Sequence, residues 1–384
     1  MKPDSITPAT TPCLTSSLTS IAAAVLALGF AASSVAAPVQ YEMDLRTYAG
    51  MGAGGTMGMI GSLFGSKGAA VSKYMDLRLN NPGDIPDGYS ADHTVPDAMH
   101  IGPVLPLKGE RRSTGTGGSG ESSSEEPDGR LLIYWGCSET VAKGQPQIID
   151  FKAMAKSMSP EVMAMVRQAR AGKGGTAATQ GESLPPRTVW WPFGDYNFKG
   201  IPAEASAVGE HVVKASFMPQ EIRYTIGNEL DFLEPLNLKT SGDLKSAISL
   251  NWDGLSRTKG YNLNAVGAAE KEMVIWMAAR NKSPMLPNSQ TTCTIPAGIF
   301  EKTGMAMVAE EGVGPTGGFS YPPQEKGKPK KPLIWTARVR VSTSDTALLG
   351  MQQAAGDAAG KAAADSVVPG GGSVLKGLKG LFGK

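Results

Sequence analysis

From about residue 205 the chain reads as one short strand after another, and this limits the fold more than any other feature. The segments are 210–217 (EHVVKASF), 221–227 (EIRYTIG), 247–252 (AISLNW), 260–267 (GYNLNAVG), 272–278 (EMVIWMA), 291–296 (TTCTIP), 304–309 (GMAMVA) and 333–343 (LIWTARVRVST). Their spacing and alternation suit strands with one face on a core and the other toward water, as in a β-sandwich. That period belongs to strands rather than helices. The 48 glycines and 27 prolines also favour turns and sheets over a helical bundle. The fold class expected is mainly β.

Within this region Ile248, Leu250 and Trp252 share one face of a strand. A turn follows, and then Gly260-Tyr261-x-Leu263-x-Ala265. A Trp ending one core strand and a Tyr opening the next resembles the fibronectin type III pattern over roughly 220–345. An Ig-like relative fits equally, and the penultimate strand, Met305-Ala306-Met307-Val308, lacks the tyrosine corner. The resemblance implies a binding or spacer module with no catalytic residues.

The N-terminal half repeats the tetrapeptide MDLR at 43–46 and 75–78, inside the alternating segments 40–48 and 73–80. The two copies suit antiparallel neighbours joined by the Gly/Met-rich excursion 50–70. Residues 82–100 read as loop, 101–107 as an edge strand, 109–129 as disordered linker, and 130–136 (RLLIYWG) as a strong strand. Asp150 is placed to cap one helical turn. Ser159-Pro160-Glu161 signals a second helix start, with Val162, Met165, Val166 and Ala169 at helical spacing.

Residues 1–36 read as an export signal: an apolar run of about 12 residues, Ile21 to Ala32, then Ser34-Val35-Ala36. The run is short of the roughly 20 residues that span a bilayer. Cleavage would remove Cys13 and leave Cys137 and Cys293, which in an oxidising compartment form one disulfide joining the two halves. The domains expected are the signal 1–36, an N-terminal β domain 37–158, a helix and aromatic connector 159–204, a fibronectin-III- or Ig-like sandwich 205–345, and a Gly/Ala/Lys-rich tail 346–384.

Net charge is +2, so no global field attracts nucleic acid. No Gly-x-Ser-x-Gly, HExxH or phosphate-loop pattern occurs, and no catalytic residue, cofactor or metal site is assigned. Asp84, Asp87, Asp92, His93, Asp97 and His100 crowd one loop without the spacing of a metal motif. Met154 and Met158 suit core packing better than Cu(I).

Two segments carry the functional expectation. Met57, Met59, Ile60, Leu63 and Phe64 lie among glycines four apart, a spacing that lets helix backbones approach in a membrane. The tail echoes them: Leu375, Leu378, Leu381 and Phe382 share one helical side, with Lys376, Lys379 and Lys384 outside it. The function expected is an exported cell-envelope binding or scaffolding protein, touching membrane or self-associating through these segments. Its partner is an unidentified protein or glycan. The rival readings are a carbohydrate-binding module stacking sugars on Trp190, Trp191 and Tyr196, and an enzyme of unrecognised type. Burial of those aromatics at a junction is the plainer alternative.

Overall fold

The computed structural model describes residues 37–50, 71–113, 129–157, 183–193, 200–280 and 285–350. The first strands are β1 (Val39–Gly50), β2 (Ser72–Asn80), β3 (Ala91–Thr94), β4 (Val104–Pro106), β5 (Arg112–Ser113), β6 (Arg130–Trp135) and β7 (Gln147–Asp150). A short helix α1 (Phe151–Ser157) precedes β8 (Ser183–Leu184), β9 (Thr188–Trp191), β10 (Gly209–Ala215), β11 (Ile222–Ile226), β12 (Lys239–Ser241) and β13 (Ile248–Asn251). The rest are β14 (Gly260–Ala268), β15 (Glu272–Met277), β16 (Leu286–Pro287), β17 (Thr292–Ile295), β18 (Ala306–Tyr321) and β19 (Trp335–Leu349). The protein is mainly β, as expected. Asp150 caps α1 by accepting the Ala153 N–H at 2.7 Å, a contact worth about 1 kcal/mol. The second helix start at Ser159 lies outside the described residues.

The MDLR repeat explains the first pairing. β1 and β2 are antiparallel with Met43 opposite Leu77, Asp44 opposite Asp76 and Leu45 opposite Met75. The period of two then sends Met43, Leu45, Met75 and Leu77 inward, all at most 2% exposed, while Asp44 and Asp76 stay on the outer face.

One long sheet organises the molecule, in the order β7-β6-β15-β14-β18-β19-β1-β2-β9, with β16 beside β14. Two smaller sheets cover its inner face, and each closes a core. The sheet β11-β10-β3-β4 closes the first, built on Tyr41, Met43, Leu77, Leu105, Val213, Ile226 and Val339. The sheet β12-β13-β17 closes the second, built on Leu250, Tyr261, Leu263, Trp276, Ile295 and Val308. β18 and β19 serve both cores: Trp335, Val339 and Val341 line the first, and Val308 and Leu349 line the second.

The strands therefore do not sort by position in the chain. β10 and β11, expected with the C-terminal sandwich, pair with β3. β6, expected in the N-terminal domain, runs parallel to β15 beside the second core. Residues 37 onward form a single contact unit. Sequence alternation identifies strands but carries no information on partners, since any half-buried strand fits any half-buried neighbour. Two segments expected as loop and connector contain strands β3 and β9. β18 and β19 also run on past 304–309 and 333–343. The glycines of Gly312-Val313-Gly314-Pro315-Thr316-Gly317-Gly318 hide the alternation there, and a register shift between Val313 and Thr316 absorbs the break.

Those glycines have a packing role. The segment 228–238 crosses the inner face between the two cores, with Leu230 and Leu233 in the first and Leu236 in the second. A Cβ on Gly317 would overlap Leu230, and on Gly314 it would meet Leu233 Cδ1 at 2.9 Å. Backbone approaches side chain here because the sheet offers no Cβ. Thr47 Oγ1 donates to the Leu233 carbonyl at 2.7 Å, and Arg257 donates to the carbonyls of Asp231 and Phe232 at 2.9 and 2.7 Å, so the crossing segment is tied from both sides.

Cys137 and Cys293 form a disulfide with a Cα–Cα distance of 5.0 Å. Cys137 follows β6 on the long sheet and Cys293 lies in β17, so the bond staples the two layers of the second core. Ser138 N–H to Thr294 O at 3.0 Å and Trp276 Nε1–H to Gly136 O at 3.0 Å support the same junction.

Candidate binding surface

The outer face of the long sheet changes character along its width. Beside the first core the register places Trp190, Arg78, Glu42 and Arg338 in one row across β9, β2, β1 and β19. The next row is Asp76, Asp44 and Arg340, and Arg46 follows on β1. Arg46 bonds Asp76 at 2.9 Å, Arg340 grips Asp44 with Nε and Nη2, and Glu42 takes Arg338, Arg340 and Arg78. Hydrogen bonding to Asp44 raises the Arg340 guanidinium above its ordinary value. The acids lie low, with side chains of Glu42 and Asp44 15 and 18% exposed, while those of Arg338 and Arg78 rise to 54 and 60%. The face thus presents guanidinium donors over buried carboxylates.

Trp190 flanks this lattice. Val189 and Trp191 point inward with 0 and 5% exposure, so Trp190 and Thr188 point out. The backbone of Trp190 exchanges two hydrogen bonds with Lys108, at 2.8 and 3.0 Å, which fixes the edge strand from its open side. Trp190, Pro192, Thr188, Asn80, Arg78, Asp76 and Arg46 line a groove of about 710 Å³.

The expected stacking residues are therefore separated. Trp190 reaches the outer face, Trp191 packs in the first core, and Tyr196 lies outside the described residues. Met57, Met59, Ile60, Leu63, Phe64, Leu375, Leu378, Leu381, Phe382 and Met158 also lie outside them. Met154 is exposed on α1. In the acidic loop, Asp84 bonds Arg112 and Arg187, with Arg187 holding its carboxyl below the usual carboxylate range, and Asp87 bonds Arg111. His93 turns into the core.

There it joins a hydrogen-bonded chain that sequence reasoning missed. Tyr41 Oη meets His93 Nδ1, His93 Nε2 meets His211 Nδ1 at 2.9 Å, and His211 Nε2 meets the Ala207 carbonyl at 2.8 Å. The carbonyl only accepts, so His211 Nε2 carries a proton and its Nδ1 accepts. His93 Nε2 must then donate, its Nδ1 accepts, and Tyr41 donates. Both imidazoles are neutral and every ring nitrogen is used. Burial, and for His93 also the second imidazole, holds them below the ordinary histidine value. With both rings buried and each nitrogen bonded, the pair fastens β3 to β10 and β1. The sequence carried little signal for it, since His93 lies among Ala91, Asp92 and Thr94 and His211 beside Val212 and Val213.

A second buried polar group sits at the junction of the cores. Glu310 is opposite Asp345 in register and 1% exposed, and neither of its carboxyl oxygens has a partner. Burial, then the Asp345 charge, pushes it up to about 9, so it is a neutral acid at pH 7. Asp345 accepts the N–H groups of Leu238 at 2.8 Å and Thr346 at 2.7 Å.

Beside the second core the same outer face carries an apolar row. Ile133, Ile275, Val266, Met307 and Leu348 stand in one register row across β6, β15, β14, β18 and β19. Compared with known proteins, the chain matches no family model, no curated protein and no solved structure.

Proposed function

We propose that this is an exported, non-catalytic binding protein of the cell envelope that meets a membrane surface from one end of its long sheet. One observation carries the reading. β1 and β19 are parallel neighbours with Gly50 opposite Thr346, and β2 starts beside them with Ser72 opposite Tyr48. The described ends that precede the Gly/Met segment 51–70 and the tail 351–384, which echo each other as GSLFG and KGLFG, therefore lie at the same end of the sheet. Two weak apolar and basic elements issuing from one place act as a two-point anchor, which a single short element does not provide. The apolar outer row ends on Leu348 at the same edge. The disulfide fits an oxidising destination beyond the inner membrane, in keeping with removal of 1–36.

We read the second sandwich as fibronectin type III-like. Supporting this, its seven main strands divide into three (β12, β13, β17) facing four (β14, β15, β18, β19). Trp252 also packs edge-on against Tyr261 at 5.4 Å, the pair that carried the resemblance. Such a module spaces or binds rather than catalyses.

Vesicle flotation tests the reading. The chain without 1–36 is expected to float with vesicles containing anionic phosphatidylglycerol and to release as salt rises. Deleting 51–70 or 351–384 should each weaken binding, and deleting both should abolish it. Absence of flotation by the parent chain overturns the membrane reading.

A further inference from the structure

We propose that the groove beside Trp190 is a binding site for an acidic saccharide, a pyranose ring bearing a carboxylate. The site lies wholly on described strands of the first sandwich and does not depend on the membrane reading above.

Three features of the groove converge on that ligand. The first is a rigid aromatic platform. Trp190 is pinned by two backbone bonds to Lys108 on one side and by its register with Arg78 on the other. A pyranose has one face of C–H bonds, which covers an indole ring at little entropic cost because Phe193 already packs against that ring with centroids 5.6 Å apart. The second is the excess of donors. Glu42, Asp44 and Asp76 are shared among Arg46, Arg78, Arg338 and Arg340, three carboxylates to four guanidiniums, so the carboxylates cannot occupy all the guanidinium N–H groups. Arg78 keeps the most exposed head of the set, and its contact to Glu42 is 3.7 Å, the longest in the lattice. It is the group readiest to grip an incoming carboxylate as a fork. The third is a mixed polar rim. Thr188 Oγ1 donates to Asn80 Oδ1 at 2.9 Å, which leaves the Asn80 NH₂ to donate to a ligand, and Asp76, paired with Arg46 through Oδ2, accepts from hydroxyl groups through Oδ1. A groove of about 710 Å³ falls within the usual 300–1,000 Å³ of ligand sites. The underlying acids make the same face unsuited to a polyanion such as nucleic acid, which needs continuous positive charge.

Titration calorimetry with the chain lacking 1–36 decides the matter. The probes are the methyl glycosides of galacturonic, mannuronic and glucuronic acid, each beside its carboxyl-reduced neutral counterpart. At least one acidic probe is expected to bind at least about tenfold more tightly than its neutral form, with affinity falling as salt rises. Trp190→Ala should weaken both forms at least about tenfold. Arg78→Gln should bring the acidic probe down to the neutral level while leaving the thermal midpoint in place. The proposal is overturned if no acidic probe binds, or if Arg78→Gln keeps the acidic preference. It is equally overturned if a folded Trp190→Ala chain binds as the parent does. Should Trp190→Ala not fold, the Arg78→Gln comparison stands alone and still decides.

Discussion

The two sandwiches share β18 and β19 yet are secured in different ways. The first holds a buried chain of Tyr41, His93 and His211 inside and a lattice of ion pairs outside. The second holds Tyr261 and Trp276 inside, a disulfide across its layers, and an apolar row outside. Sharing strands fixes the geometry of both sheets but leaves the chemistry of each core free. The difference shows in what can break each half: acid for the first, reductant for the second.

Reduction should give the largest effect. The bridge spans 156 residues, and the loop-entropy model assigns it about 5 kcal/mol as an upper figure. Urea unfolding with and without dithiothreitol measures it. Hydrogen exchange should show protection lost first in β13 and β17. Equal loss in β3 and β10 would mean the two cores open as one.

Acid should act on the other half. His93 and His211 are held below their ordinary value, so their contribution is present above about pH 6.5 and is lost as pH falls through the lowered values. The unfolding free energy measured by urea titration should drop by at least about 1 kcal/mol between pH 7 and pH 5, with exchange rising in β3 and β10. His93→Leu strands the Tyr41 hydroxyl and His211 Nδ1, should cost about 3 kcal/mol, and should flatten this pH dependence. A variant that keeps the parent's acid slope would remove the histidine pair from the account.

The junction supplies two smaller probes. Glu310 has its value raised to about 9, so its contribution is complete below the ordinary carboxyl range and declines as pH climbs toward 9. Glu310→Gln should abolish that decline and gain on the order of 2 kcal/mol at pH 9. Gly317→Val should cost about 1–3 kcal/mol by forcing Leu230 aside. Because β18 runs through both cores, the loss should appear in β10 and β14 together. Loss confined to one half would show the junction to be weaker than the packing suggests.

Spacing and alternation marked most of the central strands and the inward face of β13, because a half-buried strand writes its period into the residues. The MDLR copies also announced their pairing, since matched alternation and opposite direction satisfy both faces at once. The same reasoning read 82–100 as loop and 188–191 as connector. There, strands of four residues are too short for a period to emerge among prolines and glycines. Of the binding surface only Trp190 was legible, and it was grouped with Trp191. Adjacent residues on a strand face opposite sides, so that pair could not share a platform once the segment proved to be β9.

The sequence by itself determined that this chain is mainly β, which residues face inward on its clearly alternating strands, and which two cysteines were available for a bridge. Only the tertiary structure decided that one sheet serves two cores. It also brought Arg338 and Arg340 beside Glu42 and Asp44, and His93 to His211. These pairs lie more than 100 residues apart in the chain. Periodicity is a local property set by each strand's two faces, whereas a strand's neighbour is chosen by the global packing of all of them.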